Sequence, residues 1–459
     1  MRGEPSTLRS SQYLGYAAGE VANNLTFQMA AGFVLIYYTD VADISASTAG
    51  TLLLVVRLLG GFTDLLAGRR VDKTATRWGR FRPYLLFGSV PLLALLVVTF
   101  SIPGGLGGTT TLLWAFLSYA LFSLAYSFVN IPYGSLAAAM TQQPDERAKL
   151  SSARAVSAGV TILVIAVVVA PQLQGSGDLQ RSLSVTTAAF AVIGFALYLW
   201  CFATSREAVR GPAQAVSMRE TGAMIRHNRP LILLCLATLL FLTGMFSLTA
   251  VAVFYARDVL GNADLYIAMT AVQTLAMIAA AALIPVAVAS VGKKRVYMLS
   301  GVVAAIAAVG LALAPESIPA LGIACYGALG VGFGAINALV FAFQADTVEF
   351  GEWRSGVRAE GASYAVLSFT RKAGQGIGGA AAAYTIGIGG YVSGAATQSD
   401  GAVASIRVAA GIVPAVAVAA ATAVMLAYPL TEKAFRSVVA DLAERRAARE
   451  TSGRAVAPT

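Results

Sequence analysis

Twelve stretches of about 20 mostly apolar residues, each long enough to cross roughly 30 Å of hydrocarbon, recur along the chain and constrain its fold more than any other feature. The first six are Tyr16–Tyr38, Ser47–Ala67, Tyr84–Ile102, Thr111–Asn130, Val156–Ala170 and Val185–Ala203. The second six are Leu231–Ala256, Leu265–Ala289, Val296–Ala314, Ala320–Ala345, Ala362–Ile388 and Val408–Tyr428. In hydrocarbon a backbone must satisfy its own N–H and C=O groups, which single segments achieve as helices. The expected class is therefore an all-α membrane protein. Only 12% of the 459 residues are charged and 57% are hydrophobic, against about 25% charged in a soluble protein, so the chain is not water-soluble.

The loops between these stretches separate by charge. One alternate set contains Arg69 to Arg82, Arg147 with Lys149, Arg206 to Arg229, Lys293-Lys294-Arg295, Arg354 with Arg358, and the tail from Lys433; the other holds Arg181, Arg257 and Arg407. Basic loops stay on the cytoplasmic side, so both termini are expected there, with the chain in the cell's inner (plasma) membrane. Orientation also accounts for the net charge of +10, and no nucleic-acid partner is expected. The segment through Gln12 lacks a signal peptide's apolar core and cleavage site, so the first span is expected to serve for insertion. Cys201, Cys235 and Cys325 fall in apolar stretches, where a thiol acts as a small hydrophobe. Neither disulfides nor a metal framework nor a cofactor is expected.

The longest internal polar segment divides the chain into an N-terminal six-helix bundle (1–204), a linker (205–229), a C-terminal six-helix bundle (230–430) and a solvated helical tail (431–459). A basic loop follows the second span of each half, Gly68–Pro83 with six basic residues and one acid in the first, and Gly292-Lys293-Lys294-Arg295 in the second. Two bundles repeated in this way, around a central cavity, are the organisation of a carrier. The length and placement of Gly68–Pro83 match the corresponding loop of the major facilitator fold.

Ionisable groups inside spans need a partner or a wet cavity, because a charge at the bilayer centre costs about 2.5–3.5 kcal/mol on insertion scales. Glu20, Asn24 and Phe27 with Gln28 put a polar stripe on one face of the first span, and Arg57, Gly60 and Asp64 share a face of the second. The bland reading of Arg57 and Asp64 is an interhelical ion pair that fixes packing. On the fourth span Tyr126, Asn130 and Tyr133 repeat the spacing, and Pro132 interrupts the backbone ladder beside Asn130. Lys372, with Arg371 beside it and Gln375 one turn on, lies well inside the eleventh span.

Several segments carry a resemblance. Gly19-Glu20-Val21-Ala22-Asn23-Asn24, Tyr37-Tyr38-Thr39-Asp40, Asn130-Ile131-Pro132-Tyr133-Gly134-Ser135-Leu136, Asp346-Thr347-Val348-Glu349-Phe350-Gly351-Glu352 and Thr370-Arg371-Lys372-Ala373-Gly374-Gln375 resemble the glycoside-pentoside-hexuronide cation symporters, the melibiose permease family. Met140-Thr141-Gln142-Gln143-Pro144, Gly356-Val357-Arg358-Ala359-Glu360-Gly361 and Tyr428-Pro429-Leu430-Thr431 are similar to its glucuronide carriers. The resemblance implies a proton- or sodium-coupled sugar carrier with its site between the bundles. Of two carboxylates one turn apart on the family's second helix, the later matches Asp64 and the earlier is replaced by Gly60; an acid on the fourth helix is replaced by Asn130, and the sugar-binding acid of the first falls on Asn24. The family's arginines match Arg57 and Arg154, and its eleventh-helix lysine matches Lys372.

A cation site depleted of acids beside a cavity that keeps its cations favours an anionic sugar, since Arg or Lys with a carboxylate forms a charge-assisted hydrogen bond. The expected substrate set is thus Glu20, Asn24, Arg57, Tyr126, Asn130, Tyr133, Arg154, Arg371 and Lys372 around a glucuronide or related anionic glycoside. Asp64 is the expected coupling residue, with protons favoured over sodium because the ion would find few hard oxygen ligands. Asp72 and Arg77 of the basic loop are the expected conformational gates. The remaining partner is membrane lipid. Uncoupled facilitation is the alternative mechanism. A membrane-embedded transferase is the alternative class, but the single histidine, His227, has no adjacent carboxylate to make it a base.

Overall fold

The computed structural model describes residues 8–141, 143–175, 178–207, 228–355, 360–393, 395 and 397–455. His227, Arg358, most of the 205–229 linker and the side chain of Asp72 lie outside them. The described secondary structure is helical, apart from an isolated bridge between Thr76 and Gly79 in the basic loop.

The first half comprises α1 (Ser10–Asp40), α2 (Ala46–Asp72), α3 (Tyr84–Thr99, opening with a π-helical turn), α4 (Gly108–Met140), α5 (Pro144–Val169) and α6 (Leu179–Thr204). The second comprises α7 (Arg229–Val259), α8 (Leu265–Val291), α9 (Lys293–Leu313), α10 (Pro319–Ser355), α11 (Glu360–Ile388) and α12 (Asp400–Leu426), followed by the tail helix α13 (Glu432–Ala455). Short polar side chains start several of them by accepting the orphan N–H groups of the first turn: Ser45 from Thr48, Asp178 from Arg181, Asn228 from Leu231 and Ser399 from Ala402. Gly292 alone joins α8 to α9, at φ 85°, a left-handed conformation that favours glycine.

Nine of the described helices are long and apolar enough to cross a membrane. α1 and α11, of 31 and 29 residues, have the length but are interrupted by Glu20, Asn23 and Asn24 and by Arg371, Lys372 and Gln375; α3 is shorter. Only 11% of the α8 apolar window is buried, and Val272, Leu275, Leu283 and Val286 are exposed, as a lipid-facing surface requires.

The packing repeats with an offset of six helices. α1 lies on α5 and α6, α2 on α4, and α3 on α4 and α6; correspondingly α7 lies on α11 and α12, α8 on α10, and α9 on α10 and α12. The two bundles meet along α1–α7, α2–α11 and α5–α8. Small residues let α2 and α11 approach. A Cβ on Gly50 would stand 2.8 Å from that of Ala383, and one on Gly376 would stand 2.8 Å from that of Arg57.

Several helices outrun their apolar stretches. α4 continues through Pro132 to Met140, α5 begins at Pro144 so that Arg147, Lys149 and Arg154 ride on it, and α10 reaches Ser355. The tail helix does not float free: Trp353 Nε1 of α10 donates to Asp441 Oδ2 at 3.0 Å, and Glu432 Oε1 accepts from the Lys293 backbone at 3.2 Å.

Candidate functional site

A cavity opens between the bundles, lined by Phe27, Ala30, Arg57, Tyr119, Phe122, Ser123, Tyr126 and Lys372. On α4 the lining residues are spaced i, i+3, i+4 and i+7, one helical face. The aromatic rings form a continuous wall, with Tyr119–Phe122 centroids at 6.0 Å, Phe122–Tyr126 at 6.3 Å and Phe27–Tyr126 at 5.7 Å.

Two cations enter this cavity with different commitments. The Arg57 guanidinium lies 5.0 Å from the Phe27 ring centroid and 6.0 Å from that of Phe246, and its Nη1 donates to Gln375 Oε1 at 3.4 Å. The two rings and the glutamine hold it from both bundles. It has no carboxylate partner among the described residues. The Lys372 ammonium, in contrast, is fully engaged: Nζ stands 2.7 Å from Asp64 Oδ1 and donates to the Gly60 carbonyl at 2.8 Å and to Ser127 Oγ at 3.3 Å. The contact with Asp64 is an ion pair, since Asp64 Oδ1 has no partner of hydrogen-bonding geometry among the described residues. Asp64 thus makes an interhelical ion pair of the kind weighed from sequence, between α2 and α11, whereas Arg57 does not.

A second polar cluster lies inside the first bundle. Glu20 Oε2 pairs with Arg154 Nε at 2.7 Å, and Glu20 Oε1 accepts from Asn24 Nδ2 at 2.8 Å. Next to it Asn23 links three helices: its Nδ2 donates to Asn130 Oδ1 at 2.9 Å and to Tyr126 OH at 3.2 Å, and its Oδ1 accepts from Tyr198 OH at 3.4 Å. Tyr133 is buried, stacked on Tyr16 at 4.9 Å, and donates to the Tyr16 carbonyl, which is a packing role between α1 and α4. Arg371 turns away from Lys372 toward α10, where it donates to Asn337 Oδ1 at 3.3 Å and lies 5.0 Å from the Phe341 ring centroid.

At the end of the molecule where α1 and α7 terminate, opposite the Gly68–Pro83 loop, a buried cluster joins the bundles. Arg257 Nη1 pairs with Asp40 Oδ2 at 2.6 Å, its Nε with Asp258 Oδ1 at 2.8 Å, and its Nη2 donates to Tyr391 OH at 2.5 Å. Tyr391 OH in turn donates to both Asp40 oxygens, at 2.8 and 3.0 Å. At the other end, Glu207 accepts the backbone N–H groups of Arg80, Phe81 and Arg82 at 2.8, 2.8 and 3.1 Å and fixes the exit of the basic loop. Arg77 is exposed there, its guanidinium 4.3 Å from the Trp78 ring centroid.

Sequence reasoning missed Asn23, Phe246, Tyr119 and Phe122, the pairing of Gln375 with Arg57, and the Asp40–Arg257–Tyr391 cluster. Stepping back by i−4 and i−7 from Tyr126 would have found Phe122 and Tyr119. The others depend on contacts between distant segments. Among the described residues no group of three or more His, Cys, Asp or Glu is placed to hold a metal.

Residues 15–432 match the model of the MFS/sugar transport protein family. The chain belongs to that family. Relatives in it include the Glucuronide carrier protein homolog of Escherichia coli (strain K12), 38% identical over 94% of this chain and 95% of the relative. The Isoprimeverose transporter of Lactiplantibacillus pentosus is 30% identical over 95% of this chain and 92% of its own length. Among solved structures, a mutant of the nucleoside transporter NupG superposes with a TM-score of 0.68 at 16% identity, over 90% of this chain and 100% of that one, a likeness of fold. This MFS sugar transporter is a multi-pass membrane protein of the major facilitator fold, a sugar or glycoside symporter and not an enzyme.

Proposed function

We propose that this symporter carries anionic glycosides, glucuronides or related uronides, by alternating access in the inner membrane with both termini cytoplasmic. The observation that carries the reading is Arg57: a cavity-lining guanidinium with no carboxylate partner among the described residues, oriented by Phe27, Phe246 and Gln375. Such a fork suits a substrate carboxylate, with which it forms two charge-assisted hydrogen bonds. The likeness to a glucuronide carrier homolog supports the same substrate class.

In this reading Tyr126 and Asn130 meet the sugar hydroxyls, while Glu20, Asn24 and Arg154 shape the adjoining wall, with Tyr133 packed behind it. The aromatic wall of Tyr119, Phe122 and Phe27 accepts the flat faces of the sugar and its aglycone. Arg371 is a second cation without a carboxylate partner among the described residues, on the α10 side. Asp64 takes the coupling proton, exchanging it for the Lys372 ammonium, and Asp72 and Arg77 regulate opening at the cytoplasmic end. The moving bodies are residues 1–204 and 230–430, joined by 205–229, with 431–459 as a cytoplasmic tail.

The test is Arg57→Gln measured with a matched pair of substrates, a glucuronide and the corresponding neutral glucoside. A hydrogen bond to a charged group contributes about 1.5–3 kcal/mol, so affinity for the glucuronide should fall roughly 10- to 150-fold while that for the glucoside changes little. Equal losses for both would remove the charge-recognition argument.

A further inference from the structure

Arg371 is a second cation inside a span, and holding a single acid group on Arg57 does not account for it. A charge there needs a counter-ion or a wet cavity. Among the described residues it has no carboxylate partner: its Nη1 donates to Asn337 Oδ1 of α10 at 3.3 Å, and its guanidinium lies 5.0 Å from the Phe341 ring centroid. Tyr364, Ser368, Arg371 and Gln375 are spaced i, i+4, i+7 and i+11 along α11, so they share one face, and on that face Gln375 reaches Arg57 between the bundles. The exposed apolar residues Ile377 and Ile388 fall on another face, as lipid contact requires. Arg371 therefore belongs to the space between the bundles, one turn of helix, about 6 Å, from the level of Gln375.

We propose that Arg371 is a separate anion subsite that receives an acid group on the aglycone, so that the transporter favours glycosides whose aromatic aglycone is itself acidic. The carboxylate on C-5 and the aglycone on C-1 of a glucuronide diverge from either side of the ring oxygen, so the aglycone lies beside the group that holds the sugar's acid and not on it. Phe341, 42% exposed, stands next to the guanidinium, and Tyr364, 52% exposed, lies two turns away on the same face of α11; both offer flat apolar surface to an aryl ring. Asn337 takes one N–H of a group that has five, which leaves a parallel pair for a carboxylate. Lys372 does not fill this role, because Asp64 and the Gly60 carbonyl hold its ammonium against α2. The subsite rests on the proposed occupancy of the cavity by a glycoside, though not on the sugar being acidic.

Purified full-length protein is tested by competitive binding with four compounds: phenyl glucoside, 4-carboxyphenyl glucoside, phenyl glucuronide and 4-carboxyphenyl glucuronide. Within each sugar the acidic aglycone should bind roughly tenfold or more tightly than plain phenyl, since it gains a charge-assisted hydrogen bond. Arg371→Gln should bring that ratio to one, and Arg371→Lys, which keeps the charge and loses the fork, should lower it. A ratio near one in the native protein overturns the proposal, and so does a ratio that survives in folded Arg371→Gln. Should Arg371→Gln fail to fold, an unchanged ratio in Arg371→Lys overturns it instead. Preference for glucuronide over glucoside at a fixed aglycone reports on Arg57, so its absence would remove the uronide reading and leave the aglycone ratio standing.

Discussion

The cluster that joins the bundles where α1 and α7 end makes Arg257→Gln an informative perturbation. The arginine holds Asp40 across the bundle interface at 2.6 Å, and the side chains are only 16% and 7% exposed. Removing one partner of such a buried pair costs about 3–5 kcal/mol. Tyr391 still donates to Asp40, which returns about 0.5–1.5 kcal/mol of that loss. Asp258 follows Arg257 directly in sequence, so it moves with α7 and adds little to the difference between open and closed forms. The closed end should therefore lose about 1.5–4.5 kcal/mol relative to the open one, a population shift of roughly 10- to 2,000-fold. Ala383 of α11, fully buried against Gly50 of α2, reports on that interface. In a background lacking Cys201, Cys235 and Cys325, labelling of Ala383→Cys by a membrane-impermeant maleimide should accelerate by that factor when Arg257→Gln is added. An unchanged labelling rate in a folded variant would show that the cluster does not hold the bundles together.

Three further outcomes are expected. An imposed pH gradient, inside alkaline, should drive glycoside uptake into vesicles without sodium; stimulation by sodium alone would refute proton coupling through Asp64, and indifference to both gradients would favour uncoupled facilitation. Asp72→Asn should slow net transport several-fold with equilibrium substrate binding nearly unchanged, whereas a large affinity loss at normal turnover would contradict a gating role. Glu20→Gln strips Arg154 of its carboxylate, but that guanidinium is 38% exposed, so thermal stability should fall by a modest amount, on the order of 1 kcal/mol. A collapse of folding would show that the pair is far better shielded than its exposure indicates.

The helices were legible because hydrocarbon imposes a length and a composition on each of them. Their ends were not, since apolarity stops where lipid stops while helical hydrogen bonding continues into water, as in the charged first turns of α5 and the last turns of α10. The residues of the site were legible as types, because an Arg, Lys, Asp or Glu inside a span needs a reason. Their pairing was not. Nothing local distinguishes Lys372 bound to Asp64 from Lys372 free in the cavity, and the answer depends on glycines at 60 and 376 that let α11 close on α2. Arg257 read as a lone loop charge for the same reason: its partners Asp40 and Tyr391 are 217 and 134 positions away.

Counterflow in proteoliposomes, comparing a glucuronide with its methyl ester, tests the central claim most directly. The two differ by a carboxylate charge and hardly in shape, so only an interaction with a cation can separate them. With Arg57 as the receptor, the glucuronide should compete at least tenfold better than the ester, a difference of about 1.4 kcal/mol or more. Equal competition by the two would contradict the account.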